Sequence, residues 1–227
     1  ERKDRTRSPG RQKFDASIGF SGCDHDFFLS VKADALGEVF PEGKGGGLPS
    51  VLDVGCGVGL IHPLLHERAG EITGVDVSEE SLKIAREVNP GGKYVHYDGV
   101  VLPFADQQFD AAFCICVIHH VPPESWLDFV AEMHRVVRPG GRVIVIEHNP
   151  YNPLTRFVVS RCALDENVVL LSSGTCRRLL RGAGLEKIQA KFISTIPFGN
   201  MPARKLEKWL SPLPLGAQYL VSSARAA

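Results

Sequence analysis

The stretch Leu48-Pro-Ser-Val-Leu-Asp-Val-Gly-Cys-Gly-Val-Gly59 decides how the rest of this chain is interpreted. It begins as an apolar run with one acidic residue, Asp53, and ends in three glycines at alternate positions. Apolar residues then recur at helical spacing over residues 60–65. The pattern predicts a buried strand, a tight turn and a helix start. Glycine lets a ligand approach the backbone, and the free N–H groups of a helix start favour an anionic group.

The glycine spacing narrows the class of ligand. A dinucleotide fingerprint, G-x-G-x-x-G, would need a third glycine where this chain has Leu60, which disfavours a nicotinamide-dependent oxidoreductase. The observed pattern from Asp53 to Gly59 is D-x-G-x-G-x-G. With Val51 and Leu52 before it, the pattern resembles the first motif of the class I S-adenosylmethionine-dependent methyltransferases. A tight turn of an α/β fold without a ligand is the alternative interpretation.

Composition predicts one globular domain without a strong electric field. The 227 residues are 44% hydrophobic and 23% charged, with a formal net charge of zero. This balance argues against nucleic acid as a partner and favours a small-molecule acceptor. Basic residues concentrate in residues 1–13, which we predict to be a flexible tail. No pattern in the sequence indicates an oligomeric state.

Membrane spans and bound metal ions are not expected from the sequence. No apolar run approaches the ~20 residues of a membrane span. The six cysteines form no C-x-x-C pair, so we expect reduced thiols, no metal site and a cytoplasmic location.

Strand and helix patterns alternate along the chain. After the first strand, strand patterns recur at residues 71–77, 93–97, 109–117 and 142–146. This alternation predicts a doubly wound, parallel α/β sheet that binds ligands at the carboxyl ends of its strands. Residues 14–47 precede this domain, residues 48–227, as a helical cap and linker. The helix of this cap either packs on the sheet or acts as a lid over a site.

Further motifs strengthen the resemblance over residues 48–147. Leu102-Pro103-Phe104, Phe109-Asp110, Ile118-His119-His120-Val121 and Arg138-Pro139-Gly140-Gly141 look like the small-molecule methyltransferases grouped with the ubiquinone and menaquinone biosynthesis enzymes. The resemblance implies a Rossmann-like seven-stranded sheet of order 3-2-1-4-5-7-6, with strand 7 antiparallel. It also implies S-adenosylmethionine as the cofactor and S-adenosylhomocysteine as the product.

The resemblance implies a set of cofactor-binding residues at the strand ends. Asp76 would hold the ribose hydroxyls, although it could instead cap the next helix in place of Ser78. Asp98 would accept from the adenine amine, although an aspartate before glycine is also a common turn residue. The complete predicted set is Asp53, Gly55, Cys56, Gly57, Gly59, Asp76, Val77, Asp98, Gly99, Cys114 and His119.

Acceptor residues are expected on residues 147–171, which follow strand five. The candidates for substrate contact are Phe28, Glu147, His148, Asn149 and Tyr151, and the candidates for a catalytic base are His120 and His148. An ordinary crossover segment and a structural His-His corner are the alternatives. An amine or thiol acceptor could react without a protein base. A partner subunit that binds the cofactor without catalysis also remains open, because the motifs say nothing about turnover.

Overall fold

The computed structural model describes residues 25–162, 168–193 and 213–226. Three predicted features therefore lie outside the described residues: the basic tail of residues 1–13, the aromatic residues Phe14 and Phe20 of the N-terminal cap, and a short helix predicted over residues 203–210. Residues 163–167 of the predicted substrate segment also lie outside them.

The described residues form a seven-stranded sheet. Its strands are β1 (Ser50–Val54), β2 (Glu71–Asp76), β3 (Lys93–His96), β4 (Phe109–Ile115), β5 (Val137–His148), β6 (Glu186–Ile193) and β7 (Gln218–Ala224). The spatial order is β3-β2-β1-β4-β5-β7-β6. Strands β1 to β5 pair in parallel, whereas β7 pairs antiparallel with both β5 and β6. The predicted fold class and strand order are confirmed.

Six α-helices connect or precede the strands in the described ranges. They are α1 (His25–Gly37), α2 (His62–Leu65), α3 (Glu79–Val88), α4 (Trp126–Val136), α5 (Pro153–Val159) and α6 (Ser173–Gly182). Ser78 caps α3 by accepting from the backbone N–H of Ser81, and Ser172 caps α6 by accepting from Thr175. Serine is favoured at both positions because its oxygen satisfies a free N–H group. In the described ranges no helix is long and apolar enough to cross a membrane.

The sheet is covered by an apolar cluster on each face. Helices α4 and α6 contribute to one cluster, in which Val130 and Leu180 are fully buried with Val145 of β5. Helix α1 contributes to the other, where Leu36 is fully buried beside Val51 and Ile144. Burying such a side chain contributes about 1.5–3 kcal/mol of transfer free energy, so α1 is a packed element over this length. Whether its first turn also acts as a lid stays a prediction.

Strand β5 begins earlier than its β-branched pattern predicts. The strand was expected over residues 142–146, yet it starts at Val137 and includes the Arg-Pro-Gly-Gly motif as an irregularity in its register with β4. Arg138 donates to the carboxylate of Asp110, whose other oxygen accepts from the backbone N–H of Ser50. These contacts hold the irregular segment against the sheet. They join residues that are far apart in the sequence, so the local pattern does not predict them.

Candidate functional site

The glycine turn lies over the carboxyl ends of β1 and β2. Gly55 and Cys56 donate their N–H groups to the carbonyl of Val75, at 2.8 and 2.9 Å. Gly55 and Gly57 both have positive φ, +75° and +53°. A Cβ on Gly55 would lie 2.5 Å from the side chain of Val117, whereas one on Gly57 would point into open space. The turn therefore has one side closed by Val117, which follows β4, and one side open to a ligand.

Asp76 fastens this turn to the start of α3. Its Oδ2 accepts from the N–H of Gly57 at 2.8 Å, and its Oδ1 accepts from the N–H of Ser78 at 2.9 Å. Ser78, not Asp76, is the helix cap. The carboxylate is half-buried, and each of its oxygens has a second acceptor position. These positions fit the two ribose hydroxyls that the resemblance assigns to Asp76.

Asp98 lies beside a small apolar surface. Its Oδ1 accepts from the N–H groups of Val100 and Val101, at 2.8 and 3.0 Å, and these bonds lower the pKa of the carboxyl. Gly99 packs so closely on Val77 that a Cβ would lie 3.2 Å from its methyl group. Val77, Val100 and Val101 are all exposed. An exposed carboxylate next to exposed apolar surface fits a flat ring that carries an amine.

Asp53 is buried, and its partner, His62, was not suggested by the sequence. Its Oδ2 lies 3.0 Å from Nε2 of His62, which is also buried. Within the residues that the structure describes, its Oδ1 has no hydrogen-bond partner. A buried carboxylate oxygen normally has a partner, so this one fits a contact with a bound ligand or a bridging water. Together with the open side at Gly57, this oxygen fits the contact that the resemblance predicts between the turn and the cofactor.

Glu147 is the centre of a second cluster, at the ends of β4 and β5. It is fully buried, and its Oε2 lies 2.6 Å from Nδ1 of His119. The backbone N–H groups of His119 and His148 also point to it, at 3.4 and 3.3 Å. Burial raises the pKa of the Glu147 carboxyl. The imidazoles of His119 and His148 and the N–H of His119 lower it by more, so the pKa lies below the ordinary value.

Three imidazole rings lie close together at this end of the sheet, and that of His119 contacts the carboxylate. The ring of His119 lies 4.1 Å from that of His120 and 5.3 Å from that of His148, measured between centroids. His120 is exposed, His148 is half-buried and His119 is buried. We call Glu147 and these three residues the histidine cluster. The sequence placed its members at two neighbouring strand ends but did not indicate that Glu147 pairs with His119.

The remaining predicted residues occupy varied positions. Cys114 is fully buried within β4, and burial raises the pKa of its thiol well above the ordinary value. Asn149 is buried and donates to the carbonyls of Pro214 and Gly216. These bonds connect the segment after β5 to the segment that precedes β7. Tyr151 is 74% exposed. Phe28 is half-buried in α1, with its ring against that of Phe27. Their predicted roles at the site stay predictions.

The described residues were searched for disulfides and for groups of side chains that could bind a metal ion. Among the residues that the structure describes, no two cysteines form a disulfide. In these ranges no group of three or more histidine, cysteine, aspartate or glutamate side chains has an arrangement that could hold a metal ion.

Part of the chain is similar to known methyltransferases. Residues 52–145 match the family described as Methyltransferase domain. The chain is 38% identical over 98 residues to the ubiquinone biosynthesis O-methyltransferase of Idiomarina loihiensis, which covers 41% of this chain and 40% of that protein. It is 35% identical over 104 residues to the 2-methyl-6-phytyl-1,4-hydroquinone methyltransferase of Synechocystis sp., which covers 44% of this chain and 32% of that protein. The chain thus spans less than half the length of these curated relatives.

A solved structure agrees with the fold. An S-adenosylmethionine-dependent methyltransferase from Thermotoga maritima superposes with a TM-score of 0.68, over 88% of this chain and 90% of that chain. The two sequences are 21% identical, so the similarity concerns the fold.

Proposed function

We propose that this protein, whose residues 52–145 match the family described as Methyltransferase domain, is a class I S-adenosylmethionine-dependent methyltransferase that methylates a hydroxyl group of a small ring compound. The observation that carries the choice of a hydroxyl acceptor is the histidine cluster. It provides imidazoles and a buried negative charge at the strand ends where an acceptor would bind. The names of the two curated relatives, a ubiquinone biosynthesis O-methyltransferase and a hydroquinone methyltransferase, support a hydroxylated ring as the class of acceptor.

The glycine turn and two aspartates are proposed to hold the cofactor. Asp76 would accept from the ribose hydroxyls with the acceptor positions that Gly57 and Ser78 leave. Asp98 would accept from the adenine amine while Val77 packs against the ring. Asp53 would contact the methionine end with its remaining oxygen, partly through water, as the resemblance implies.

S-adenosylmethionine supplies a methyl group that its positive sulfur already activates. The protein has to align the acceptor oxygen with the methyl carbon, and such orientation can lower the barrier by roughly 7–11 kcal/mol. An imidazole of the histidine cluster takes the hydroxyl proton as the oxygen forms its bond to the methyl carbon. The carbon–sulfur bond breaks in the same step, and its electron pair stays on sulfur.

Glu147 makes this proton transfer favourable. Its pKa is below the ordinary value, so it is ionised at neutral pH. A buried negative charge 2.6 Å from His119 stabilises an imidazolium in the cluster as it forms. Removing this charge should therefore slow the reaction without changing the cofactor contacts.

Turnover with a panel of acceptors tests the proposal. The panel contains matched hydroxyl, amine and thiol derivatives of one ring, and formation of S-adenosylhomocysteine is the signal. We expect the hydroxyl compounds to react fastest, with a rate that falls at low pH as the base becomes protonated. Faster reaction of amines or thiols would contradict a hydroxyl acceptor. Cofactor binding without turnover on any acceptor would instead support a non-catalytic partner subunit.

Histidine variants identify the base. His119→Gln, His120→Gln and His148→Gln each remove one imidazole from the cluster. Loss of the base should lower kcat by about 10²–10⁴-fold and remove the low-pH limb of the rate profile. If all three variants keep wild-type kcat and pH dependence, the cluster is not the base.

A further inference from the structure

Four side chains from separate segments form one hydrogen-bonded chain beneath the glycine turn. Nε2 of His62 lies 3.0 Å from Oδ2 of Asp53, and Nδ1 of His62 lies 2.9 Å from the hydroxyl of Tyr94. Nδ2 of Asn89 donates to that hydroxyl and to the carbonyl of Gly59, both at 3.0 Å. We call Asp53, His62, Tyr94 and Asn89 the turn anchor. It begins and ends on the segment that the cofactor would contact.

Hydrogen counting assigns the donors along the turn anchor. The amide nitrogen of Asn89 can only donate, so the Tyr94 oxygen accepts from it and gives its own hydrogen to Nδ1 of His62. His62 must then carry its hydrogen on Nε2 and donate it to the Asp53 carboxylate. With a proton on Nδ1 of His62 instead, the Tyr94 hydrogen would lose this acceptor. A neutral imidazole and an ionised Asp53 therefore satisfy every bond at once.

Packing restricts the same groups. The rings of His62 and Tyr94 are stacked, with centroids 5.3 Å apart and planes 2° from parallel. A Cβ on Gly59 would lie 2.5 Å from the Tyr94 hydroxyl, so the turn rests directly on this group. A Cβ on Gly74 or Gly92 would also lie within 3.0 Å of the Tyr94 ring. Three glycines thus make space for one tyrosine.

We propose that His62 and Tyr94 are positioning residues for the cofactor. They fix the rotamer of Asp53, which leaves Oδ1 for the ligand, and they hold Gly59 so that the turn is preformed. Neither residue belongs to the predicted site, and neither needs to touch the cofactor. The inference rests on the proposed function, since it requires that the turn binds S-adenosylmethionine or its product.

Tyr94→Phe is the direct test, and Tyr219→Phe is its matched control. Tyr219 also has a hydroxyl in a buried hydrogen bond, to the carbonyl of Leu171 at 2.8 Å, but it lies in β7. Calorimetric titration with S-adenosylhomocysteine measures the dissociation constant of each variant. We expect Tyr94→Phe to weaken binding three- to tenfold and Tyr219→Phe to leave it within twofold. Equal affinities in wild type and Tyr94→Phe would overturn the proposal.

A double-mutant cycle separates positioning from general loss of stability. If Tyr94 acts in part through Asp53, Tyr94→Phe should weaken binding by a smaller factor in the Asp53→Asn background than in the wild type. Additive effects of the two changes would contradict action through Asp53. Hydrogen exchange of the ligand-free protein gives a second measurement: amides of residues 55–59 should exchange faster in Tyr94→Phe but not in Tyr219→Phe. Unchanged exchange there would contradict a preformed turn.

Conservative replacement tests His62 itself. His62→Gln can place an amide N–H near the position of Nε2, whereas His62→Leu cannot. We expect His62→Leu to weaken binding tenfold or more and His62→Gln to stay within threefold of wild type. Equal loss in both would contradict a donor role, and if His62→Leu does not fold, the Tyr94→Phe cycle decides alone. Failure of the wild type to bind S-adenosylhomocysteine would refute the proposed function rather than this inference.

Discussion

Two buried carboxylate–imidazole pairs lie at different strand ends of the same sheet, and their carboxyl groups have pKa values shifted in opposite directions. Asp53 pairs with His62 at 3.0 Å near the end of β1, and Glu147 pairs with His119 at 2.6 Å near the end of β5. The pKa of Asp53 is raised above its ordinary value, whereas that of Glu147 is lowered. The same pairing of a buried carboxylate with an imidazole therefore goes with a raised carboxyl pKa at β1 and a lowered one at β5.

The surroundings of each carboxylate explain the difference. Burial raises the pKa of Asp53, the bond to His62 offsets this only in part, and the negative charge of Asp76 raises it further. Burial also acts on Glu147, but the rings of His119 and His148 and the N–H of His119 together outweigh it. Glu147 is thus a stable negative charge, whereas the charge of Asp53 is costly until something binds its second oxygen.

Replacement of both carboxylates by amides should give the largest contrast. We expect Glu147→Gln to destabilise the fold by about 3 kcal/mol, because breaking a buried pair leaves the imidazole and N–H groups without their charge partner. That loss corresponds to roughly 6–12 °C in Tm for a domain of this size. Asp53→Asn should change stability by about 1 kcal/mol or less, since it also removes a desolvated charge.

Thermal and urea unfolding of both variants measure this contrast. Circular dichroism at 20 °C serves as the control for an intact fold. Comparable destabilisation by the two variants would show that the surroundings do not distinguish the pairs.

Asp76→Ala should give the next largest effect, a loss of cofactor affinity, because it removes the proposed ribose contact and the two bonds that hold the turn. Charge-assisted hydrogen bonds contribute about 1.5–3 kcal/mol, so the affinity for S-adenosylhomocysteine should fall on the order of tenfold to a hundredfold. Asp76→Asn should be milder because its amide keeps one oxygen for the N–H of Gly57 or a ribose hydroxyl. Calorimetric titration measures both variants, and Asp98→Ala is the comparison for the adenine side. Wild-type affinity in Asp76→Ala would mean that this carboxylate only fastens the turn.

Acid should weaken the Glu147 pair selectively. A carboxyl group whose pKa is lower in the folded state stabilises the protein above its unfolded pKa, 4.5 for glutamate, and loses this contribution as the pH falls through the folded value. The stability difference between wild type and Glu147→Gln should therefore shrink below pH 4.5. Asp53 has the opposite sign, because its raised pKa favours folding at low pH. Urea unfolding from pH 7 to pH 3.5 checks this, and a constant difference would contradict it.

The smallest effects are expected at Tyr151 and Phe28, two of the residues predicted to contact the acceptor. Tyr151→Ala and Phe28→Ala should each raise the KM for the acceptor severalfold and leave the cofactor dissociation constant within twofold. Tyr151 is 74% exposed, so its loss should cost little stability. Steady-state kinetics with the best acceptor of the panel measures both variants. Loss of cofactor affinity or of the fold in parallel would assign these side chains to structure.

Much of the fold followed from local patterns. Alternation of strand and helix, the serine caps and the glycine turn all act within a few residues, so their signals are present in the sequence. The sequence also predicts a final strand over residues 218–224, and β7 has these bounds, Gln218–Ala224. The strand order followed from the resemblance, since the antiparallel insertion of β7 leaves no local signal. The early start of β5 was missed because it depends on contacts between Arg138, Asp110 and Ser50, which are far apart in sequence.

The candidate site also has features that local sequence predicts and features that depend on contacts between distant residues. The sequence by itself determined the candidate residues at the strand ends, Asp53, Asp76 and Asp98 among them, because a parallel sheet brings its carboxyl ends to one edge. Only the tertiary structure decided which side chains meet: His62 with Asp53 and Tyr94, and Glu147 with His119. Tyr94 is 32 residues from His62, and Glu147 is 28 residues from His119. Such partners are set by how strands and helices pack, and neither periodicity nor turn chemistry carries that information.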